Sequence, residues 1–193
     1  MSNLIPHGIQ VHLVGQGCED LASTLGLVNS PLESADCALF IVSAKDGIVR
    51  ADSDTWLIAR ELYIPSIVVI TDLTADNETD FEDMTAIAGR ILDPVVTPYL
   101  VLHQDDATPI ALIDLISQQI LDYSNGELTL RDSDIEHQEV IAEFREEYAE
   151  ALAAAGEDAF ENALLYPALP WIKGSRLGLA EITLYLNRVP LAR

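Results

Sequence analysis

Two glycines near the amino end are the first candidates for binding chemistry. Gly15 and Gly17 follow a loosely alternating segment, residues 9–14, and precede a helix predicted over residues 19–27. Glycine-rich turns between a strand and a helix can hold phosphate groups against backbone N–H groups. This pair lacks the third glycine and the later acidic ribose ligand of a dinucleotide-binding motif. The pattern therefore favours an ordinary strand-to-helix turn over a nucleotide site.

Carboxylates and histidines elsewhere are candidates for metal binding or catalysis. The loop 74–80 contains Asp76, Asn77, Glu78 and Asp80, but not the alternating Asp-x-Asp-x-Asp-Gly spacing and bidentate Glu of a calcium loop. The histidines are scattered, at His7, His12, His103 and His137. We therefore predict a solvated loop, no metal site and no catalytic residue.

The stretch from Asp36 to Thr74 predicts the elements that would position a site. Two unbroken apolar runs, residues 37–42 and 67–70, flank a helix-length segment that contains Trp56. Strands that are apolar on both faces are typical of a parallel sheet covered by helices. Ligands of open α/β sheets bind beyond the carboxyl ends of the strands, which directs attention to residues 71–74.

The remaining pattern predicts further helices and strands. Helices are expected over residues 81–91 and 134–155, and a helix or a helix plus a strand over 110–121. Asn125-Gly126 indicates a hairpin. Further strands are expected at 98–102 and 169–173, followed by a turn and a last helix that includes Ile182 and Leu186. Cys37 is predicted to lie in the core, whereas Cys18 at a helix start is a candidate reactive thiol.

Composition narrows the classes of function. The 193 residues include 32 acidic and ten basic side chains, for a formal net charge of -22. No apolar run reaches the length of a membrane span and no secretory signal is visible, so we expect a soluble, cytoplasmic protein without membrane contact. Because phosphate backbones repel acidic surfaces, direct nucleic-acid binding is not expected. A solvated acidic surface is the simplest interpretation, and a basic partner protein is the alternative.

The order of these segments resembles the GTP-binding domain of elongation factor G and its ribosome-protection relatives. In that family a strand of the type "DGAVVV-DA-EGV" is followed by a helix with Trp and Ala, then by "VP-IVFVNKMD". Residues 36–48 and 64–70 match this order, with Trp56 and Ala59 in the helix between them. Downstream, Asp80-Phe81, Thr97-Pro98, Ile113–Leu115 and the acidic helix resemble the subdomain inserted in that factor, and residues 169–175 resemble its last strand and "GSA" turn. The resemblance extends from about residue 11 to residue 190.

The resemblance implies a degenerate P-loop-NTPase fold of the translational-GTPase type. It is an α/β fold with a mainly parallel sheet flanked by helices and a small inserted subdomain. We expect residues 1–193 to form one such unit, truncated at its amino end, with the subdomain at approximately residues 97–160. Whether the first strand replaces the family's first or third strand stays open.

The resemblance also implies where guanine-binding residues would lie. The family's "NKxD" motif falls on Thr71, Asp72 and Thr74, and its "GSA" turn on Gly174 and Ser175. These five residues are degenerate counterparts of guanine-binding positions, because threonine has no carboxylate to accept the guanine N–H groups.

The phosphate and metal motifs are also missing from these 193 residues. The sequence contains no G-x-x-x-x-G-K-[ST] motif. The Mg²⁺-binding "DTPG" turn would fall near residues 15–18, where the only carboxylates belong to the following Glu19 and Asp20. GTP and Mg²⁺ would therefore be cofactors by resemblance only, and none is expected.

These observations lead to three hypotheses. The first is a pseudo-GTPase that does not hydrolyse GTP and acts through a protein partner or homo-oligomer. The second is a residual nucleotide or small-phosphate binder that uses residues 15–17 and 71–74. The third is an acidic module that forms homodimers, since a sheet without some of its strands has an edge to cover.

Overall fold

The protein contains two β-sheets and six α-helices in the part of the chain that the structure, a computed structural model, describes: residues 5–74, 79–92 and 95–191. The strands of the larger sheet are β1 (Val11–Gly15), β2 (Cys37–Ser43), β3 (Ser66–Thr71), β4 (Val95–Val96) and β9 (Tyr166–Pro170). They are parallel and lie in the order β1-β2-β3-β9-β4. The mainly parallel sheet flanked by helices is confirmed.

The centre of this sheet is apolar on both faces. Every residue of β2, β3 and β9 is buried. Trp56 connects two of these strands, because its ring packs edge-on against Phe40 of β2 and Tyr166 of β9, at centroid distances of 4.8 and 4.7 Å. Cys37 is fully buried as predicted, and burial raises the pKa of its thiol.

Four helices accompany the parallel sheet. They are α1 (Cys18–Leu25), α2 (Arg50–Glu61), α3 (Phe81–Ile91) and α6 (Leu179–Leu186). Each of them contributes buried side chains to the core that contains β2 and β3, among them Leu21, Trp56, Met84 and Ile182. All four helices were predicted from the sequence with small shifts at their ends.

A second, antiparallel sheet follows β4 in the chain. Its order is β5-β6-β7-β8, with strands β5 (Tyr99–His103), β6 (Pro109–Asp114), β7 (Gln119–Asp122) and β8 (Thr129–Asp132). The hairpin around Asn125-Gly126 is confirmed as the β7–β8 connection. The sheet lies within the predicted subdomain at residues 97–160, and the division of the chain into domains stays a prediction.

The prediction of a helix within residues 110–121 is wrong, because this segment forms the β6–β7 hairpin. The Asp114 carboxylate accepts the N–H groups of Ile116 and Ser117, at 2.8 and 2.9 Å. Gln118 then adopts a left-handed backbone conformation with φ 59°. A side chain that caps its own turn in this way competes with helix formation.

Two other boundaries also need correction. The predicted helix 134–155 is divided into α4 (Ile135–Val140) and α5 (Ala142–Ala155) by a turn at Ile141, which is buried. The predicted strand 169–173 is β9, which begins at Tyr166 and ends at Pro170. The prolines within β9 obscured its start, although a strand tolerates a proline where its missing N–H has no ladder partner.

The free edge of β1 is covered by the chain itself. Asn29 accepts the Leu13 N–H at 2.9 Å and donates to the Leu13 carbonyl at 3.3 Å. The Ser30 N–H donates to the Val11 carbonyl at 2.9 Å. These bonds occupy backbone groups that an added strand would use.

None of the described helices is long and apolar enough to cross a bilayer.

Candidate functional site

The candidate site lies beyond the carboxyl ends of the parallel strands, where the loops after β1, β2, β3 and β9 begin. β1 pairs directly with β2 over five residues, from Val11↔Cys37 to Gly15↔Ile41. No described strand that could carry a phosphate-binding loop lies between them. β1 is therefore the direct neighbour of β2 in this sheet.

The turn after β1 is short and tightly packed. Only Gln16 and Gly17 separate β1 from α1. Gly15 has φ 107°, and a Cβ atom there would lie 2.0 Å from the Ile41 carbonyl oxygen. Gly17 precedes the helix with φ 77°. The backbone conformation at both positions therefore explains why they are glycines. The turn is far shorter than the loop that wraps phosphates in G-x-x-x-x-G-K-[ST] proteins.

The amino end of α1 is not an open anion site. Helix N-termini attract anions through their exposed N–H groups, but the first turn of α1 carries Glu19 and Asp20. The Asp20 carboxylate forms an ion pair with Lys173 beyond β9, with 2.6 Å between Oδ2 and Nζ. Both side chains are half-exposed or more, so the pair stabilises the fold by about 0–1 kcal/mol.

The predicted guanine-binding residues after β3 lie at this edge. Thr71 is buried, and its hydroxyl lies 3.5 Å from the Val42 carbonyl oxygen and 3.4 Å from the Asp72 carboxylate. Asp72 is exposed with φ 56°, a conformation uncommon for residues other than glycine. Thr74 is also exposed. The acidic residues Asp76 and Glu78 of the predicted solvated loop lie outside the described residues.

The other two predicted residues lie in the turn after β9. Gly174 has φ 82° and is exposed. The Ser175 N–H donates to the Ile172 carbonyl at 3.0 Å, and the Ser175 hydroxyl accepts the Leu177 N–H at 3.1 Å. This hydroxyl is therefore occupied in stabilising its own turn.

The structure brings the two groups of predicted residues to one edge of the sheet. β3 and β9 are parallel neighbours, with Ile70 beside Pro170, and the Trp171 N–H donates to the Ile70 carbonyl at 2.9 Å. The segments that follow β3 and β9 therefore leave the sheet side by side. The turn after β2 joins this edge, where the Ser43 hydroxyl accepts the N–H groups of Lys45 and Asp46 at 3.2 and 3.1 Å.

Sequence reasoning missed two features of this edge. Gly178 has φ 91°, and a Cβ atom there would lie 1.8 Å from the Pro170 carbonyl oxygen. The ion pair between Lys173 and Asp20 joins residues that are 153 positions apart. A glycine next to the start of a helix is a weak sequence signal, and no local signal predicts the ion pair.

The described residues contain no group of three or more histidine, cysteine or acidic side chains arranged to hold a metal ion. His103 is exposed at the end of β5, whereas His12 contacts the Ser30 carbonyl through Nδ1 at 2.9 Å. His137 pairs with Asp134 at 2.6 Å on the exposed start of α4.

Comparison with known proteins identifies relatives of this chain. Two curated relatives, from Mycobacterium tuberculosis strains CDC 1551 / Oshkosh and ATCC 25618 / H37Rv, are described as elongation factor G-like proteins. Each is 30% identical to this chain over 158 residues. The chain is related to the elongation factor G-like proteins. The resemblance drawn from the sequence is thereby confirmed.

The relationship covers only a part of these relatives. The aligned residues make up 82% of this chain and 21% of each relative, so the chain spans about one fifth of their length. A crystal structure of a protein from Thermus thermophilus is similar to this fold, with a TM-score of 0.68, 27% sequence identity, and coverage of 82% of this chain and 27% of that one. No protein-family model matches the chain.

Proposed function

We propose that this protein is a pseudo-GTPase, a domain of the elongation factor G-like type that acts through protein contact and does not hydrolyse GTP. The observation that carries the proposal is the turn after β1. Gly15 is pressed against the Ile41 carbonyl, and only two residues lead into α1. A loop of this length cannot wrap a phosphate group in the way that a P-loop does.

The residues at the candidate guanine position support the same proposal. By the resemblance, Thr71, Asp72 and Thr74 correspond to the Asn, Lys and Asp of the family's base-recognition motif. Hydrogen bonds to charged groups contribute about 1.5–3 kcal/mol each. Without three or four such hydrogen bonds to the nucleotide, the binding free energy is weaker by roughly 5–10 kcal/mol, which is on the order of four to seven decades of affinity. Lys173, a cation at the same edge, is paired with Asp20.

A protein-contact role fits the charge of the chain. The formal net charge of -22 disfavours nucleic acid as a direct partner and favours a protein with a basic surface. A homodimer formed by pairing β1 strands is not part of the proposal, because Asn29 and Ser30 already occupy the edge. We propose a protein partner or an oligomer formed through another surface.

Isothermal titration with GTP and GDP in the presence of Mg²⁺ tests the proposal. We expect no binding tighter than about 10 µM and no preference for guanine over adenine nucleotides. The matched variant is Thr74→Asp, which restores a carboxylate at the exposed base-recognition position. Because the phosphate determinants are missing in both proteins, the variant should bind no better than the parent. Tight, guanine-selective binding by the parent chain would overturn the proposal.

A further inference from the structure

A groove outside the candidate site separates α3 from α5. Its volume is about 230 Å³, and β4 forms part of its lining. One wall is the face of α3 that carries Glu82, Ala86 and Gly89, and the other is the face of α5 that carries Phe144 and Glu147. Drug-sized ligand pockets have volumes of roughly 300–1,000 Å³. The groove is therefore suited to a slender ligand.

The groove has a carboxylate on each wall, and its described lining contains no Lys or Arg. Glu82 accepts the Val101 N–H through Oε1 at 3.1 Å, and Glu147 is exposed. Neither has an ion-pair partner among the residues that the structure describes. Burial, followed by the nearby carboxylates of Asp80 and Asp83, raises the pKa of Glu82, while the Val101 N–H opposes this shift. A bound cation would relieve the effect of these like charges.

Apart from the hydroxyl side chains of Thr85 and Thr97, the remaining lining is apolar or aromatic. Val95 and Val96 of β4 line the groove, and Phe144 and Tyr148 of α5 contribute aromatic side chains to its lining. Aromatic faces attract organic cations, and aliphatic walls favour a ligand with an alkyl chain over a bare metal ion. The lining therefore matches an alkylammonium group in both polarity and shape.

Gly89 is an independent observation that points to an open groove. It lies within α3, where glycine costs about 1 kcal/mol relative to alanine. Its φ is not in the left-handed region, and a Cβ atom there would lie 3.5 Å from the Val95 carbonyl oxygen, an ordinary contact. Packing therefore does not require glycine at this position. The need for open space in the groove would instead explain the glycine.

We infer that this groove binds a small linear alkyl diamine, with its ammonium groups at the carboxylates of Glu82 and Glu147 and its methylene chain against β4 and Phe144. The groove is separate from the proposed pseudo-GTPase edge, so the inference does not depend on that proposal. It adds a small-molecule site to a domain proposed to act through protein contact.

The test is titration of the full chain with butane-1,4-diamine at about 0.15 M ionic strength, where long-range attraction to the acidic surface is screened. Glu82→Gln keeps an acceptor for Val101, and Glu147→Gln keeps the shape of the side chain. Each should weaken diamine binding about fivefold. Glu146→Gln is the matched control, because it removes one exposed charge from α5 outside the groove lining. It should change the affinity by less than about twofold.

Gly89→Ala separates groove shape from charge. It should raise the melting temperature by about 2–4 °C through helix propensity, yet weaken diamine binding about threefold because the added methyl group narrows the groove. Mg²⁺ has the charge of the diamine but no alkyl chain, and it should not displace the diamine at equal concentration. Equal losses for Glu146→Gln and Glu147→Gln, unchanged binding in Gly89→Ala, or displacement by Mg²⁺ would each overturn the inference.

Discussion

Glu181 is a buried carboxyl group whose two oxygens have different surroundings. It is 2% exposed, Oε1 accepts the Tyr123 hydroxyl at 2.7 Å, and Oε2 is buried without a hydrogen-bond partner among the described residues. Burial is the main reason that the pKa of Glu181 is raised, and Asp114 adds to the effect. The Tyr123 bond opposes the shift but leaves the pKa above its usual value.

The raised pKa of Glu181 predicts a pH dependence of stability. A carboxyl whose pKa is higher in the folded state favours folding when protonated, so this contribution is complete below the unfolded-state pKa and is lost as the pH rises through the folded-state pKa. Glu181→Gln cannot ionise and should be more stable than the parent at neutral pH by about 1–2 kcal/mol. The difference should shrink on acidification. Thermal unfolding across the pH range measures it.

Two controls keep this prediction specific. Tyr123→Phe removes the hydroxyl donor and should destabilise the fold by about 1 kcal/mol. Glu19→Gln changes an exposed carboxyl and should leave the pH dependence unaltered. Parallel curves of melting temperature against pH for Glu181→Gln and the parent would contradict the assignment.

At the residue scale, the sequence predicted where residues lie in the fold better than it predicted their hydrogen-bond partners. Thr71 could be placed at the end of a strand because an apolar run ends there, and Ser175 could be placed in a turn by the resemblance. Their hydroxyl contacts with Val42, Asp72 and Leu177 could not be predicted, because these depend on turn geometry and on a neighbouring strand. Burial of a carboxylate in the last helix was equally invisible, since its partner Tyr123 is 58 positions away.

The edge of β1 is the element whose protection can be tested directly. Asn29 imitates a strand by bonding both backbone groups of Leu13. Asn29→Ala should destabilise the fold by about 0.5–1.5 kcal/mol in urea unfolding and leave the Leu13 groups open to another chain. Sedimentation should then detect more self-association than in the parent.

Asn29→Asp is the matched control for the edge. It keeps the acceptor for the Leu13 N–H and loses the donor to the Leu13 carbonyl, so an intermediate loss of stability is expected. If Asn29→Ala is as stable as the parent and no more associated, the edge is protected by other means.

At the element scale, the sequence was most informative where one pattern dominated. The strands β2 and β3 are unbroken apolar runs, and both were predicted because burial on both faces leaves few alternatives. The first part of the β6–β7 hairpin was mistaken for a helix because only Asp114 interrupts the apolar run of residues 110–116. The turn depends on the single Asp114 side chain.

The charge of the whole molecule gives the last prediction. With 32 acidic and ten basic residues, the folded chain concentrates like charges, and their repulsion opposes the compact state more than the expanded one. Salt shortens the range of this repulsion, from about 30 Å at 0.01 M to about 8 Å at 0.15 M. Exposed ion pairs such as Lys173 with Asp20 contribute little to stability, so screening them costs little stability.

The melting temperature should therefore rise between about 0.01 M and 0.15 M sodium chloride. Lys173→Gln, which removes one of the few cations, should steepen this rise. A melting temperature that falls with added salt would mean that attractive pairs outweigh the net charge.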